Sequence, residues 1–187
     1  EFESHLRLHF SRFDLRSTLT VLRVIQGPHG SNFGYEPRTM EYTTDTLVDG
    51  LAFPEGPRWR NDRLWFSDMH QHKVFSAGLD GDLDEVCELP GKPSGLGWLP
   101  DDGREDSGRL LIVSMVDRCL MRLDPDGPHK IADLSDLASY HTNDMVVDAL
   151  GRAYIGNFGF DIDCETPAPR PAELITVDRG GAARVAA

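Results

Sequence analysis

Three short polar side chains recur at matching points of the sequence and could together bind a cation. Glu55, Ser94 and Asn143 each follow a turn-rich segment, at intervals of 39 and 49 residues. Carboxylate and amide oxygens suit calcium, magnesium and manganese, and zinc also accepts a carboxylate. The sequence therefore offers Glu55 as a metal ligand, with a solvated surface turn after Pro54 as the alternative.

Asn143 and His141 are the candidate groups for holding a small molecule beside such a cation. Asn143 is equivalent to Glu55 in the spacing pattern, and His141 precedes it by two residues. An Asn also bonds readily to its own backbone in a turn, which is the competing interpretation of Asn143. A structural role is the competing interpretation of His141.

Other common site chemistries find no support in the sequence. The three cysteines, Cys87, Cys119 and Cys164, are far apart and lack the C-x-x-C spacing of a structural zinc site. No G-x-S-x-G segment surrounds any serine, so a serine-hydrolase nucleophile is not expected.

A unit of about 40 residues, rich in turns and short apolar strands, repeats from Gly50 onward, which is the length of one four-stranded propeller blade. We assign blades to residues 50–90, 91–137 and 138–187, with the longer second interval absorbing the polar segment 103–108. The innermost strand of each blade lines the central channel of a propeller, so one polar residue per blade can converge there. Propellers close with four or more blades, so we expect a truncated ring of about three.

Two segments carry a resemblance to a known family. Residues 50–59 (GLAFPEGPRW) resemble the G-x-x-x-x-E-G/S-P-x-W motif of the senescence marker protein (regucalcin), gluconolactonase and luciferin-regenerating enzyme family, and residues 142–152 (TNDMVVDALGR) resemble its N-D-G/M-x-x-D-x-x-G-R motif. The resemblance covers residues 46–187. It implies an all-β, six-bladed propeller of which the N-terminal half is present.

The resemblance also implies a chemistry, the hydrolysis of a lactone or ester that depends on one divalent cation. Calcium is the first expectation, with zinc, magnesium or manganese as alternatives. By family likeness Glu55 is the metal ligand, Asn143 contacts substrate or a metal-bound water, and His141 stands where some relatives place an Arg that grips substrate. A further Asn ligand and the general-base Asp are expected beyond Ala187, so no catalytic residue is assigned and the activity of this chain by itself is in doubt.

Two other propeller functions stay open. A strictosidine-synthase-like enzyme would use a catalytic Glu in a later blade and no metal, and the Pro-Glu-Gly-Pro setting of Glu55 argues against it. A non-catalytic binding propeller would need no cation at all. The identity of the lactone or ester is not specified, because loops select substrate while the fold sets only the class.

Composition limits the partners and the setting. The net charge of −12 repels phosphate backbones and anionic surfaces, so neither nucleic acid nor membrane is expected. No apolar run reaches the roughly 18–20 residues of a membrane span. Unpaired cysteines favour a reducing, cytoplasmic location. The oligomeric state is not predicted.

The first 40 residues differ from the rest. They hold five Arg and four acidic residues, which leaves 14 basic and 27 acidic residues in 41–187. They also lack a sustained hydrophobic period. We therefore predict a poorly specified extension over residues 1–40 and a partial propeller over 41–187, with docking of a short strand or helix as the alternative for the first part.

Overall fold

The structure, a computed structural model, describes residues 41–161 and 164–187 together with the strands at 6–9 and 17–25. Regular structure in these residues consists of 15 β-strands in four antiparallel sheets. The prediction of an all-β chain is confirmed. Within the same residues, no helix has the length and apolar character that crossing a membrane requires.

The first sheet contains three strands, β1 (Leu6–His9), β2 (Ser17–Ile25) and β3 (Glu41–Leu51), in chain order. β2 precedes the predicted boundary at residue 40 and pairs with β3, which follows it. The boundary itself stays a prediction, and the remainder of residues 1–40 lies outside the part that the structure describes.

The first blade is a four-stranded sheet in which each strand pairs with the next along the chain. Its strands, from innermost to outermost, are β4 (Pro54–Arg60), β5 (Arg63–Asp68), β6 (Lys73–Ala77) and β7 (Leu83–Glu88). Asn and Asp tolerate a positive φ better than most residues, and the two-residue turn 61–62, with φ of 51° and 57°, uses this pair to join β4 to β5.

The second blade repeats this arrangement with β8 (Pro93–Trp98), β9 (Leu110–Ser114), β10 (Cys119–Asp124) and β11 (Gly127–Asp133). The polar segment 103–108 lies in the connection between β8 and β9, as the longer spacing predicts. All five residues of β9 are buried. Its continuous apolar run is typical of a strand that is covered on both faces.

The third blade consists of β12 (Thr142–Val147), β13 (Ala153–Asn157), β14 (Ile175–Val177) and β15 (Ala183–Val185). Asp148 accepts hydrogen bonds from the backbone N–H groups of residues 150 and 152, so it fixes the turn between β12 and β13. Three successive four-stranded sheets therefore follow the first one along the chain.

The hydrophobic cores lie between blades. One cluster joins the first and second blades, and a larger one joins the second and third. A third cluster places β3 against the first blade through Val48 and Leu51. The cluster between the first and second blades includes Val74, Leu96, Leu110 and Ile112. The cluster between the second and third blades includes Leu111, Val113, Leu120, Met145, Ile155 and Ile175. Each blade is thus stabilised by its neighbour, as expected for a propeller.

The innermost strands of neighbouring blades touch through their backbones. A Cβ atom at Gly95 of β8 would lie 2.5 Å from the backbone nitrogen of Met145 and 2.9 Å from the Cα atom of Asp144. Gly56 of β4 has a φ of +60°, and a Cβ there would lie 3.0 Å from the carbonyl oxygen of Ser94. Only glycine allows β4, β8 and β12 to approach this closely.

Replacing Gly95→Ala should therefore destabilise the fold. The added methyl group meets backbone that cannot rotate away, so we expect a loss of about 1–3 kcal/mol in the free energy of unfolding. Urea-induced unfolding followed by circular dichroism measures it. Gly156→Ala is the matched control, since a Cβ at Gly156 of β13 meets nothing within 4 Å. Equal stability of the two variants would contradict the close contact.

A cluster of charges also ties the second blade to the third. The Arg179 guanidinium, in the turn between β14 and β15, donates hydrogen bonds to the carboxylates of Asp102 and Asp106 in the connection between β8 and β9. These hydrogen bonds are the largest influence on the pKa of both carboxyl groups and lower it below the usual range. Asp106 also faces Arg122 of β10 at 4.0 Å.

Acid should weaken this cluster. A lowered pKa in the folded state contributes stability above the ordinary Asp value of 3.8, and that stability is lost as the pH falls below it. We expect the melting temperature to decrease when the pH drops below about 4. Arg179→Met should lower the melting temperature at neutral pH and make its decrease in acid shallower. Calorimetry at neutral pH and in a series of buffers down to about pH 2 measures both effects. Arg184→Met, at an exposed arginine of the same blade, serves as control, and the same profile in both variants would contradict the assignment.

Candidate functional site

The three equivalent residues of the sequence pattern meet at the innermost strands. Glu55, Ser94 and Asn143 are each the second residue of their strand, in β4, β8 and β12. The Ser94 hydroxyl donates a hydrogen bond of 2.9 Å to Oδ1 of Asn143, and it lies close enough to the Glu55 carboxyl group to influence its pKa. Ser94 therefore links the two candidate ligand-binding residues of the first and third blades.

Hydrogen bonds do not offset the loss of hydration of the buried Glu55 carboxyl group. Its Oε1 atom is buried and finds no hydrogen-bond partner among the residues that the structure describes. Loss of hydration raises the pKa of Glu55, the nearby Ser94 hydroxyl opposes this, and the charge of Asp144 adds to the rise. A buried carboxylate oxygen in this state needs a proton or a cation to offset the cost of desolvation.

A cation at this position would satisfy the buried, unpartnered Oε1 atom of Glu55. The residues that carry a description contain no group of three or more His, Cys, Asp or Glu side chains that could hold a metal ion. Glu55 would thus act as a single charged ligand beside neutral oxygens such as those of Asn143 and Ser94. Calcium takes six to eight oxygen ligands, whereas magnesium keeps several waters, so either ion would need groups besides these.

Buried hydrogen bonds hold the chain segments that carry these residues. The Asp68 carboxylate, fully buried at the end of β5, accepts hydrogen bonds from the backbone N–H groups of Ala52 and Phe53, just before Glu55. The buried Ser67 hydroxyl donates a bond of 2.6 Å to the carbonyl oxygen of Ser94. The second strand of the first blade therefore positions the site-bearing ends of β4 and β8.

His141 lies immediately before β12, two residues from Asn143. Its ring stacks on Tyr140, with ring centroids 4.1 Å apart and 28° between the ring planes, and its carbonyl oxygen accepts a hydrogen bond from the N–H of Phe158. The aromatic stack restricts the orientation of the imidazole at the beginning of the third blade. The predicted contact with substrate stays a prediction.

Arg58 is a residue of this region that the sequence pattern does not reveal. Its guanidinium donates hydrogen bonds to the carbonyl oxygens of Leu96 and Met145 and to the Asp144 carboxylate, at 3.1, 2.8 and 2.7 Å. One side chain of β4 thereby reaches β8 and β12 at once. Its sequence signal is slight, since it occupies an unspecified position between Pro57 and Trp59 of the motif.

Comparison with solved structures supports the propeller. A gluconolactonase from Xanthomonas campestris matches 100% of this chain and 57% of its own at 17% identity, with a TM-score of 0.58. A regucalcin from Agrobacterium tumefaciens, described as a calcium-binding protein, matches 72% of this chain and 43% of its own at 23% identity and a TM-score of 0.52. A virginiamycin B lyase from Staphylococcus aureus gives 16% identity, 78% and 44% coverage and a TM-score of 0.54. The chain spans about half the length of these structures, and at such identities they show the fold alone.

The propeller prediction is confirmed by these likenesses together with the three four-stranded sheets. A search of curated proteins finds no match. A family model described as the SMP-30/gluconolactonase/LRE-like region matches residues 53–187, a stretch that includes Glu55, Ser94 and Asn143. Because this match extends over well more than half of the sequence, the chain belongs to the SMP-30/gluconolactonase/LRE-like family.

Proposed function

We propose that this chain carries part of the site of a lactone or ester hydrolase that uses one divalent cation, with Glu55 as a ligand of that cation. The observation that carries the proposal is the buried and unpartnered Oε1 atom of Glu55 at the beginning of the innermost strand. Membership of the family, the fold shared with a gluconolactonase and the calcium binding ascribed to a regucalcin support it.

Each of the site residues would have a separate role in this reaction. When bound, the cation supplies a Lewis acid for the carbonyl oxygen of the substrate. Glu55 holds a negative charge at a fixed point of the innermost strand. Ser94 donates to Oδ1 of Asn143 and so leaves the amide N–H groups of Asn143 to donate to substrate or water. His141 is proposed as a further substrate contact beside Asn143.

No nucleophilic residue is part of this proposal, since water attacks the carbonyl carbon and no covalent intermediate forms. We assign no general base within residues 1–187. Among the possible cations calcium is proposed first, because carboxylate, amide and hydroxyl oxygens form the available donor set. Zinc, magnesium and manganese are the comparison ions.

Cation binding at Glu55 can be tested without an activity assay. A raised pKa means that the charged carboxylate opposes folding above that pKa, and that the opposition disappears as the pH falls below the ordinary Glu value of 4.5. In chelator, Glu55→Gln should therefore raise the melting temperature near about pH 7.5 and change it little near about pH 4. At about 100 times Kd, calcium should add about 2.7 kcal/mol to the stability of the wild type and nothing to that of the variant.

Glu88→Gln, which neutralises an exposed Glu at the end of β7, is the control for the loss of one charge. It should leave the calcium-dependent gain intact. An equal gain in Glu55→Gln would place the cation elsewhere. Repeating the melts with magnesium, manganese and zinc ranks the ions.

Hydrolysis is tested with a panel of sugar lactones in calcium and in chelator. Any hydrolysis should occur in calcium and not in chelator, and Glu55→Gln should lower its kcat/KM by at least about 100-fold, which corresponds to about 2.7 kcal/mol of transition-state stabilisation. Glu88→Gln should retain the wild-type rate. Hydrolysis that chelator does not affect would contradict the cation-dependent scheme.

A further inference from the structure

Glu55 and Asn143 can act on one ligand only if the strands that carry them keep a fixed position relative to each other. The two residues lie on strands of the first and third blades, with β8 between them. The hydrogen bonds of the ladders run within each blade, so they do not fix one blade relative to the next. The register must come from contacts that cross from blade to blade.

Arg58 makes such contacts with the second and the third blade. Nε donates to the carbonyl oxygen of Leu96 in β8, and Nη2 donates to the carbonyl oxygen of Met145 in β12. These acceptors are two residues beyond Ser94 and two residues beyond Asn143, and Arg58 itself is three residues beyond Glu55. The guanidinium therefore connects β4 to β8 and β12, at a point two or three residues beyond the site residue of each strand.

The hydrogen bonds of Arg58 to carbonyl oxygens hold the strands more firmly than its ion pair with Asp144 does. The side chain of Arg58 is 26% exposed, whereas that of its partner Asp144 is 59% exposed. An ion pair with so much contact with water contributes little. Hydrogen bonds from a partly buried guanidinium to backbone carbonyl oxygens are charge-assisted and act on the main chain itself. They define the positions of β8 and β12 and not merely of one surface side chain.

We propose that Arg58 is the positioning residue of this site, which sets Asn143 relative to Glu55 by binding the backbones of β8 and β12. Arg58 acts through the strands, since its hydrogen bonds reach oxygen atoms of β8 and β12. The planar guanidinium offers donors in several directions at once, which the single ammonium of Lys cannot reproduce. The consequence for ligands rests on the proposed function, whereas the consequence for the position of Asn143 does not.

The test compares Arg58→Met with Arg60→Met in the full 187-residue chain. Arg60, on the same strand, is 27% exposed, pairs with Asp101 at 2.8 Å and lies over the Trp98 ring at 5.2 Å. It thus also joins the first blade to the second, but away from Glu55 and Asn143. The two variants lose the same chemical group at equal exposure and differ in the strands that they release.

Two readouts are taken for each variant. Calorimetric titration with calcium chloride should show binding about 10- to 100-fold weaker in Arg58→Met and within about twofold of wild type in Arg60→Met. In metal-free nitrogen–proton correlation spectra, the Asn143 side-chain amide, assigned with Asn143→Ser, should shift in Arg58→Met and stay in place in Arg60→Met. Equal effects of the two variants on both readouts would overturn the proposal.

Conservative variants separate geometry from charge. Arg58→Lys should behave like Arg58→Met, and full recovery of both readouts by Lys would overturn the proposal, because charge alone would then suffice. Asp144→Asn should move the Asn143 amide shift less than Arg58→Met does, because the hydrogen bonds of Arg58 to the two carbonyl oxygens remain. If the wild type binds no calcium, the cation site of the proposed function fails, and the amide shift in Arg58→Met and Arg58→Lys still decides the role of Arg58.

Discussion

The backbone contact between the innermost strands is the constraint on which the rest of the structure depends. Gly56 and Gly95 leave no side chain between β4, β8 and β12, so the three strands meet main chain to main chain. This closeness places Glu55 and Asn143, the second residues of β4 and β12, near the hydroxyl group of Ser94 in β8. It also lets one arginine side chain span two blades. A wider channel would separate the same residues without any change in their chemistry.

The fold tolerates at this point a group that works against its own stability. A carboxyl group with a buried, unpartnered oxygen would be replaced by a neutral residue if stability alone mattered. The surrounding hydrogen bonds, such as those of Asp68 with the backbone before Glu55, stabilise the segment and not the carboxylate. A local cost combined with a well-held backbone is common in binding sites, where strain or poor solvation is balanced by a ligand.

Much of this arrangement could be predicted from the sequence, because the repeat relates distant positions. The spacing of Glu55, Ser94 and Asn143 predicts equivalent places in successive blades, and the structure puts all three at the same point of their innermost strands. The role of Ser94 as the link was missed, because a lone serine carries no chemical signature outside a nucleophile motif. Arg58 was missed for a related reason. Its partners are backbone carbonyl oxygens, which every residue has, so the sequence gives no sign of which ones it binds.

The two-sided burial of β9 gives the middle blade a special place in the thermodynamics of the chain. Leu110 and Ile112 belong to the core shared with the first blade, while Leu111 and Val113 belong to the core shared with the third. The apolar contacts that stabilise the blades therefore lie at the boundaries between repeats, as in a linear array with nearest-neighbour coupling. Opening the middle blade disrupts the boundaries with both other blades at once, so we expect its amide hydrogens to exchange with solvent more slowly than those of the third blade. The second blade is thus the cooperative centre of these three repeats, although it contributes only the linking serine to the site.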